Sequence, residues 1–261
     1  MVTRAWRGPA DDRPTVPLPP GRMPLVRGGR PLKRWTYVGA FGPELMLCAA
    51  AVRIGLVPIS WWAVWDRVSG RLALGHRGAR VAPERLAVAG RLDLAIGDGE
   101  AIEVVSPHGR QYAWTRKRGG VPARGTVHGR RVDLRAIVDE SAGYHARRTA
   151  WRWSAGVGAA ESGEPVAWNL VDGIHDAPEA SERTLWIAGE PRAVGPVTFA
   201  DDLSAVGDLR FTAEATRARR ENLLLISSDY EQPFGTFTGE LPGGVRLREG
   251  WGVMERHDVR W

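Results

Sequence analysis

The chain breaks into short apolar or alternating runs, each closed by Gly, Pro or Asp before it is long enough for an amphipathic helix. Such runs lie at 34–40, 44–54, 59–66, 71–74, 87–96, 101–106, 111–118 and 125–138. They continue at 144–153, 164–171, 183–188, 190–199, 209–219, 223–228, 230–241 and 245–261, the last broken at Gly250. Many short strands joined by closely spaced turns predict an all-β antiparallel barrel or sandwich. Only a short helix is expected, near 140–142 or 201–204, and no repeat is strong enough for a propeller.

At 261 residues there is enough chain for one large β domain or two halves around a sizeable core. We expect a disordered arm over 1–16, rich in Pro and without periodicity, then an N-terminal half over 17–124 and a C-terminal half over 125–261. The 12 Trp against 4 Tyr and 5 Phe stand out. Trp combines a large apolar face with one N–H donor and suits cores, pocket walls and ligand platforms.

The formal charge of +6 points at first to nucleic acid. The basic residues, however, are spread along the chain, and all but Lys33 and Lys117 are Arg. A nucleic-acid footprint is clustered, so no nucleic-acid partner is expected. Cys48, the only cysteine, lies in an apolar run and reads as an inert buried thiol. No signal-like start is present, so a cytoplasmic location is expected. Residues 45–65 are almost wholly apolar, but Arg53 falls mid-span and Gly55 and Pro58 interrupt the run. Two buried strands joined by a turn explain this stretch better than a membrane span.

Parity singles out the candidate site. Alternate residues of a strand face opposite ways. The final strand therefore sets Val253, Glu255, His257, Val259 and Trp261 on one face, an apolar surface carrying a carboxyl and an imidazole. In 132–140 the apolar phase of Val132, Leu134, Ala136 and Val138 carries Glu140 inward. In 144–153 one face holds His145, Arg147, Thr149, Trp151 and Trp153, mixed as pocket walls are. Glu255, His257, Glu140 and His145 are thus the acid–base candidates. A carboxyl desolvated among Trp rings has its pKa raised and can exchange a proton with a neighbouring His. The plainer alternative is a satisfied structural pair, for instance Glu255 or Glu140 with Arg147. Asn169 needs partners in its apolar strand and either orients a ligand or ties down the loop carrying Asp172, His175 and Asp176. Trp151, Trp153, Asn169, Trp186, Tyr144 and Arg147 form the candidate ligand-binding set.

The six His show no paired ligand spacing, no GxSxG elbow occurs, and the Gly-rich pieces read as turns. No metal and no cofactor are expected.

Segments 31–39 (PLKRWTYVG), 41–48 (FGPELMLC), 62–66 (WAVWD), 143–145 (GYH), 151–154 (WRWS), 168–171 (WNLV) and 252–261 together resemble a bacterial family of unknown function, number 2804, over about residues 17–261. More distantly, the architecture is similar to the lipocalin-like (calycin) enzymes that include hydroxyneurosporene synthase and tocopherol cyclase. That resemblance implies two barrel-like halves and an apolar cavity in which an acid protonates an alkene. The leading expectation is therefore a protein holding an apolar small molecule (isoprenoid, polyketide or lipid) in a Trp-lined cavity. A cofactor-independent hydratase, cyclase or isomerase and a carbohydrate-active β protein are the alternatives.

Overall fold

The computed structural model describes residues 2–223 and 226–261 and is built almost entirely of antiparallel strands. Leu224 and Leu225, in the run expected at 223–228, lie outside the described residues. The first part holds β1 (Trp6–Arg7), a hairpin of β2 (Val26–Arg27) and β3 (Arg30–Pro31), β4 (Lys33–Phe41), β5 (Leu45–Ile54), β6 (Val57–Asp66) and β7 (Arg71–Gly75). It continues through β8 (Ala79–Ala82), β9 (Arg85–Val88), β10 (Leu92–Ile96), β11 (Ala101–His108), β12 (Gln111–Val127) and β13 (Arg130–Gly143). The second part holds β14 (Arg148–Ala160), β15 (Pro165–Asp172), β16 (Thr184–Ile187), β17 (Glu190–Ala193), β18 (Ala205–Val206), β19 (Leu209–Leu223), β20 (Ile226–Leu241) and β21 (Val245–Arg260).

Each part forms one large sheet, with β2 and β3 as a separate two-stranded pair. The first runs β7-β6-β5-β4-β13-β12-β10-β9-β8, with β11 also on β12 and β1 on β11. Its edge strand β8 returns against β4, β5 and β6, so the sheet wraps a core that includes Val38, Leu47, Leu94, Ala123 and Val138. The second runs β17-β16-β15-β14-β21-β20-β19-β18 around Trp168, Phe211, Phe237 and Met254. The expectation of an all-β antiparallel chain in two halves with little helix is met.

A third core lies between the sheets, formed by Tyr37, Phe41, Met46 and Ile137 of the first and Trp153, Ala155, Phe234 and Val253 of the second. Many strands are consequently buried on both faces. In β13, Leu134, Ala136 and Val138 point into the first sheet's own core while Ile137 points to the second sheet. In β21, Met254 enters the second core and Val253 faces the first sheet.

Three expectations need correcting. The first sheet ends at Gly143 and the second begins at Arg148, whereas the expected boundary at 124/125 falls inside β12. β12 bulges between Gly119 and Val121, and that local break in pattern imitates a boundary. Residues 140–142 are not helical, since β13 pairs with both β12 and β4 there. Among the described residues the one helical element is a 3-10 turn at Ala10–Asp12. The arm, finally, is fastened to the rest of the chain. β1 pairs with Val104 and Val105, and Val2, Leu18 and Met23 are buried with Tyr112 and Tyr144. Arg7 reaches across to the Ser181 and Arg183 carbonyls at 2.7 and 2.9 Å. Proline presets an extended backbone, so this strap holds its course without the periodicity that would reveal it.

The sheets approach closely where β12 passes β16. A Cβ on Gly119 would stand 2.2 Å from Trp186 Cε3. The Trp186 indole N–H donates to the Glu100 carbonyl at 3.0 Å, which holds the ring in place. Gly119→Ala is therefore expected to destabilise the protein by about 1–3 kcal/mol through overpacking. A urea midpoint unchanged from the parent would contradict this contact.

Candidate functional site

The core between the sheets contains an unusual amount of polar chemistry. Glu255, on the β21 face that looks at the first sheet, is 7% exposed. Its Oε1 accepts from the Trp151 indole at 2.7 Å, and its Oε2 from the Tyr230 hydroxyl at 3.0 Å and the Gln232 amide at 2.8 Å. Gln232 turns its carbonyl oxygen to the Cys48 thiol, 3.3 Å away across the sheet boundary. Burial raises the Glu255 pKa, and the hydrogen bonds from Trp151 and Tyr230 partly oppose it. Cys48 is pushed up to about 12 by burial, in line with an inert thiol. The Tyr37 hydroxyl is buried among these groups without a hydrogen-bond partner among the described residues, and its pKa is raised, chiefly by burial and then by Cys48, Tyr230 and Glu255.

His257 is half-buried at the outer end of this group. Its Nε2 lies 2.8 Å from Ser228 Oγ, and its ring stands edge-on to Trp151 at 4.4 Å and Tyr230 at 5.1 Å. Burial, then Arg217, lowers its pKa to about 4. The Arg217 guanidinium stacks on Trp61 at 3.7 Å and on Tyr230 at 4.5 Å. Trp61, Trp151 and His257 are only partly buried and form the outer, ring-lined end of this group, its mouth. Glu255 and His257 thus share one wall, with the Trp151 indole bonded to one and packed on the other.

Deeper in the seam, Lys117 of β12 is buried between two carboxylates. It lies 2.8 Å from Asp139 of β13 and 3.1 Å from Glu182 of the second half. Asn169 gives its amide hydrogens to the Glu182 carbonyl and accepts the Trp153 indole N–H at 2.7 Å. Burial draws the Lys117 pKa down, but the two carboxylates outweigh it and the net shift is upward. Asp139 is raised, by burial more than Lys117 relieves it. Glu182 Oε2 has no partner among the described residues.

Beyond the triad lie three His. His145 is buried against Trp35 and His108, both at 5.1 Å between ring centroids, and neither of its ring nitrogens has a partner among the described residues. Burial, followed by His108, Lys33 and His175, drives its pKa well down. His175 has Nδ1 2.9 Å from Ser106 and a buried Nε2 without a partner among the described residues, and burial, then Lys117, lowers it to about 3.

The sequence-derived residues therefore separate. Glu255, His257 and Trp151 come together at the mouth, and Trp153 and Asn169 line the seam beneath. His145 lies in the seam beyond the triad. Glu140 does not join them: it is half-exposed and paired with Arg116 at 3.1 Å, while its neighbour Asp139 points inward. Arg147 is exposed. Tyr144 packs against Tyr112 under the strap and donates to the Pro24 carbonyl at 2.7 Å. Trp186 is a contact between the sheets. The sequence reading missed Lys117, Asp139, Gln232, Tyr230 and Arg217. The scarcity of lysine in an Arg-rich chain was the available clue to Lys117.

Two surface depressions of about 440 and 360 Å³ lie elsewhere on the second half, one beside Glu161, Asp208 and Arg246 and the other beside Asp202, Phe211 and Glu231. No group of His, Cys, Asp and Glu among the described residues has the geometry of a metal site. No helix among them is long and apolar enough to cross a membrane.

An all-β chain with a polar seam between two sheets is the class of protein these features define. Residues 78–261 match the family described as Domain of unknown function (DUF2804). The chain belongs to that family. No curated protein matches the sequence. Among solved structures it is similar to a candidate AttH protein from Nitrosomonas europaea, with 12% identity and a TM-score of 0.44 over 92% of this chain and 98% of that one. It is also similar to kievitone hydratase from Nectria haematococca, with 9% identity and a TM-score of 0.41 over 86% and 88%. A third is CghA, with 11% identity and a TM-score of 0.39 over 88% of both chains.

Two outcomes test the electrostatics. Lys117→Met leaves Asp139 and Glu182 buried without their cation and is expected to cost about 3–5 kcal/mol. Adding Asp139→Asn should recover part of that loss in urea titrations. For His175 and His257, the folded pKa lies below the unfolded value near 6.5. The unfolded chain therefore takes up protons first as pH falls, and stability is lost from about pH 6.5 downward. Each imidazole is expected to contribute about 2 kcal/mol of that loss by pH 5. His175→Gln should flatten the pH dependence of the unfolding midpoint between pH 7 and pH 5.

Proposed function

We propose that the protein binds an apolar small molecule of isoprenoid, polyketide or acyl-lipid type at the ring-lined mouth between the sheets, with Glu255 as its polar anchor. The observation that carries this reading is the buried Glu255 carboxyl held by the partly exposed Trp151 indole, beside the partly exposed rings of His257 and Trp61. Rings supply apolar contact, and a single oriented polar group fixes the pose, the usual division of labour in small-molecule sites. The site lies between the sheets rather than inside either barrel, because the barrel interiors are occupied by apolar side chains of the chain itself.

Acid–base catalysis on the same ligand is the second reading, favoured by the raised pKa of Glu255. A carboxyl that keeps its proton more readily than usual can deliver it to an alkene or take one from a carbon acid, as hydration, cyclisation or isomerisation requires. His257, held neutral by burial, is the nearest relay. The sugar-platform reading has no such support, since none of the twelve tryptophans is exposed.

Native mass spectrometry of the protein isolated from its own host is expected to reveal a copurifying apolar molecule. Glu255→Gln should lower its occupancy about tenfold, equivalent to about 1.4 kcal/mol for the lost charged hydrogen bond. A protein that is consistently empty, or a variant that retains the ligand in full, would remove the proposal.

A further inference from the structure

The exposed large apolar side chains are concentrated at one place. Of the seven among the described residues, Leu25, Val26, Leu56, Val57 and Ile59 belong to the β2–β3 hairpin and the adjoining β5–β6 turn. Leu56 at the turn is 72% exposed. Backbone hydrogen bonds weld the two pieces: Leu32 N–H donates to the Leu25 carbonyl, and Gly55 N–H to the Leu32 carbonyl, both at 2.8 Å. Gly55 takes φ +58, which lets the turn close tightly and presents Leu56 and Val57 at its apex. A rigid apolar tip of this kind is unusual on a monomer's surface and marks a contact site.

Charge decides what the tip meets. Not one Asp or Glu occurs between Asp12 and Glu44, or between Glu44 and Asp66, so both segments that build the tip are free of acid. Arg34 and Arg53 are register partners on β4 and β5, side by side and exposed. Arg27 of β2 is half-buried, its guanidinium 5.0 Å over the Tyr112 ring. Arg34 and Arg53 are not ion-paired among the described residues, as holds for other exposed Arg of the first half such as Arg71 and Arg80, but they alone of these are paired in register. Two uncompensated like charges held in register repel unless a polyanionic surface lies opposite them. An apolar apex with a cationic collar matches a membrane leaflet that carries anionic headgroups.

The tip is also continuous with the mouth. Val57, Ile59 and Trp61 alternate along one face of β6, leading from the exposed apex to the Trp61 ring, which packs beside Tyr230, a hydrogen-bond donor to Glu255. We propose that this tip docks the protein on anionic lipid surfaces, with Leu56 and Val57 inserting and Arg34 and Arg53 engaging headgroups. The docking stands on the tip alone. That it brings an apolar ligand to the mouth rests on the binding function proposed above.

The test is co-sedimentation of the full chain with phosphatidylcholine vesicles made with and without phosphatidylglycerol. Binding to the anionic vesicles is expected to exceed binding to the neutral ones at least about tenfold at low ionic strength, and to fall as salt screens the collar. L56E/V57E and R34Q/R53Q, all exposed positions, should each reduce it at least about fivefold while leaving the thermal midpoint unchanged. Glu255→Gln should sediment like the parent, so failure at the mouth and failure of docking are told apart. Equal binding to both vesicle types, or none, overturns the proposal. A concentration-dependent dimer abolished by L56E/V57E overturns it as well and assigns the tip to a second copy of the chain.

Discussion

Everything between the two sheets depends on one buried cation. Lys117 neutralises Asp139 from its own sheet and Glu182 from the other, in a place where an unpaired charge would cost several kcal/mol. The triad bridges the sheets, and it sets the environment of its neighbours. It contributes to the low pKa of His175. Through Glu182 it connects to Asn169 and Trp153, and Trp153 packs edge-on against Tyr37 at 5.2 Å, beside the Glu255 group. Apolar contact alone would let two sheets slide against each other. Fixed charges between them admit one register.

That arrangement explains what could and could not be read from the sequence. The parity of β21 placed Glu255 and His257 correctly on the face toward the rest of the molecule, because the opposite face is clearly mixed. The same argument misdirected Glu140. β13 is apolar on both faces, one buried in its own barrel and the other against the second sheet, and alternation cannot distinguish two interiors. The phase through Leu134, Ala136 and Val138 leads into the barrel and emerges at its end, where Glu140 meets Arg116. The other phase, through Ile137, leads to Asp139. Tyr144 and Arg147 were misjudged for a related reason: β14 begins only at Arg148, so residues 144–147 do not obey its alternation. Lys117 and Glu182 come from opposite halves, and no local pattern links them.

Lysine itself is informative in this chain. With 36 basic residues of which two are Lys, retention of Lys at position 117 reflects geometry. A compact ammonium on a flexible stem can sit between two carboxylates from different directions, whereas a planar guanidinium demands a fork. The surface cations, in contrast, are Arg, and several meet a carboxylate pairwise, as Arg85 does Asp93 and Arg256 does Glu231. Such exposed pairs add little stability, but they cancel charge locally. The excess positive charge resides on exposed Arg without a carboxylate partner among the described residues, such as Arg71, Arg77, Arg80 and Arg260, and Arg34 and Arg53 at the β2–β3 and β5–β6 tip.

The location of the mouth follows from the same economy of space. Two sheets that each close on a core of Trp, Phe, Leu and Val leave no room for a guest within either one. Their junction is different: it must accommodate groups whose polar atoms face each other across a boundary, and packing there is interrupted by the need to satisfy them. Tyr37 Oη, Glu182 Oε2, His175 Nε2 and both His145 nitrogens have no partner among the described residues along that boundary. Buried polar atoms are normally paired, and an unpaired row of them costs more than a single stray one. The junction between the sheets is therefore where unmet polar capacity collects, in contrast to the apolar interior of either sheet.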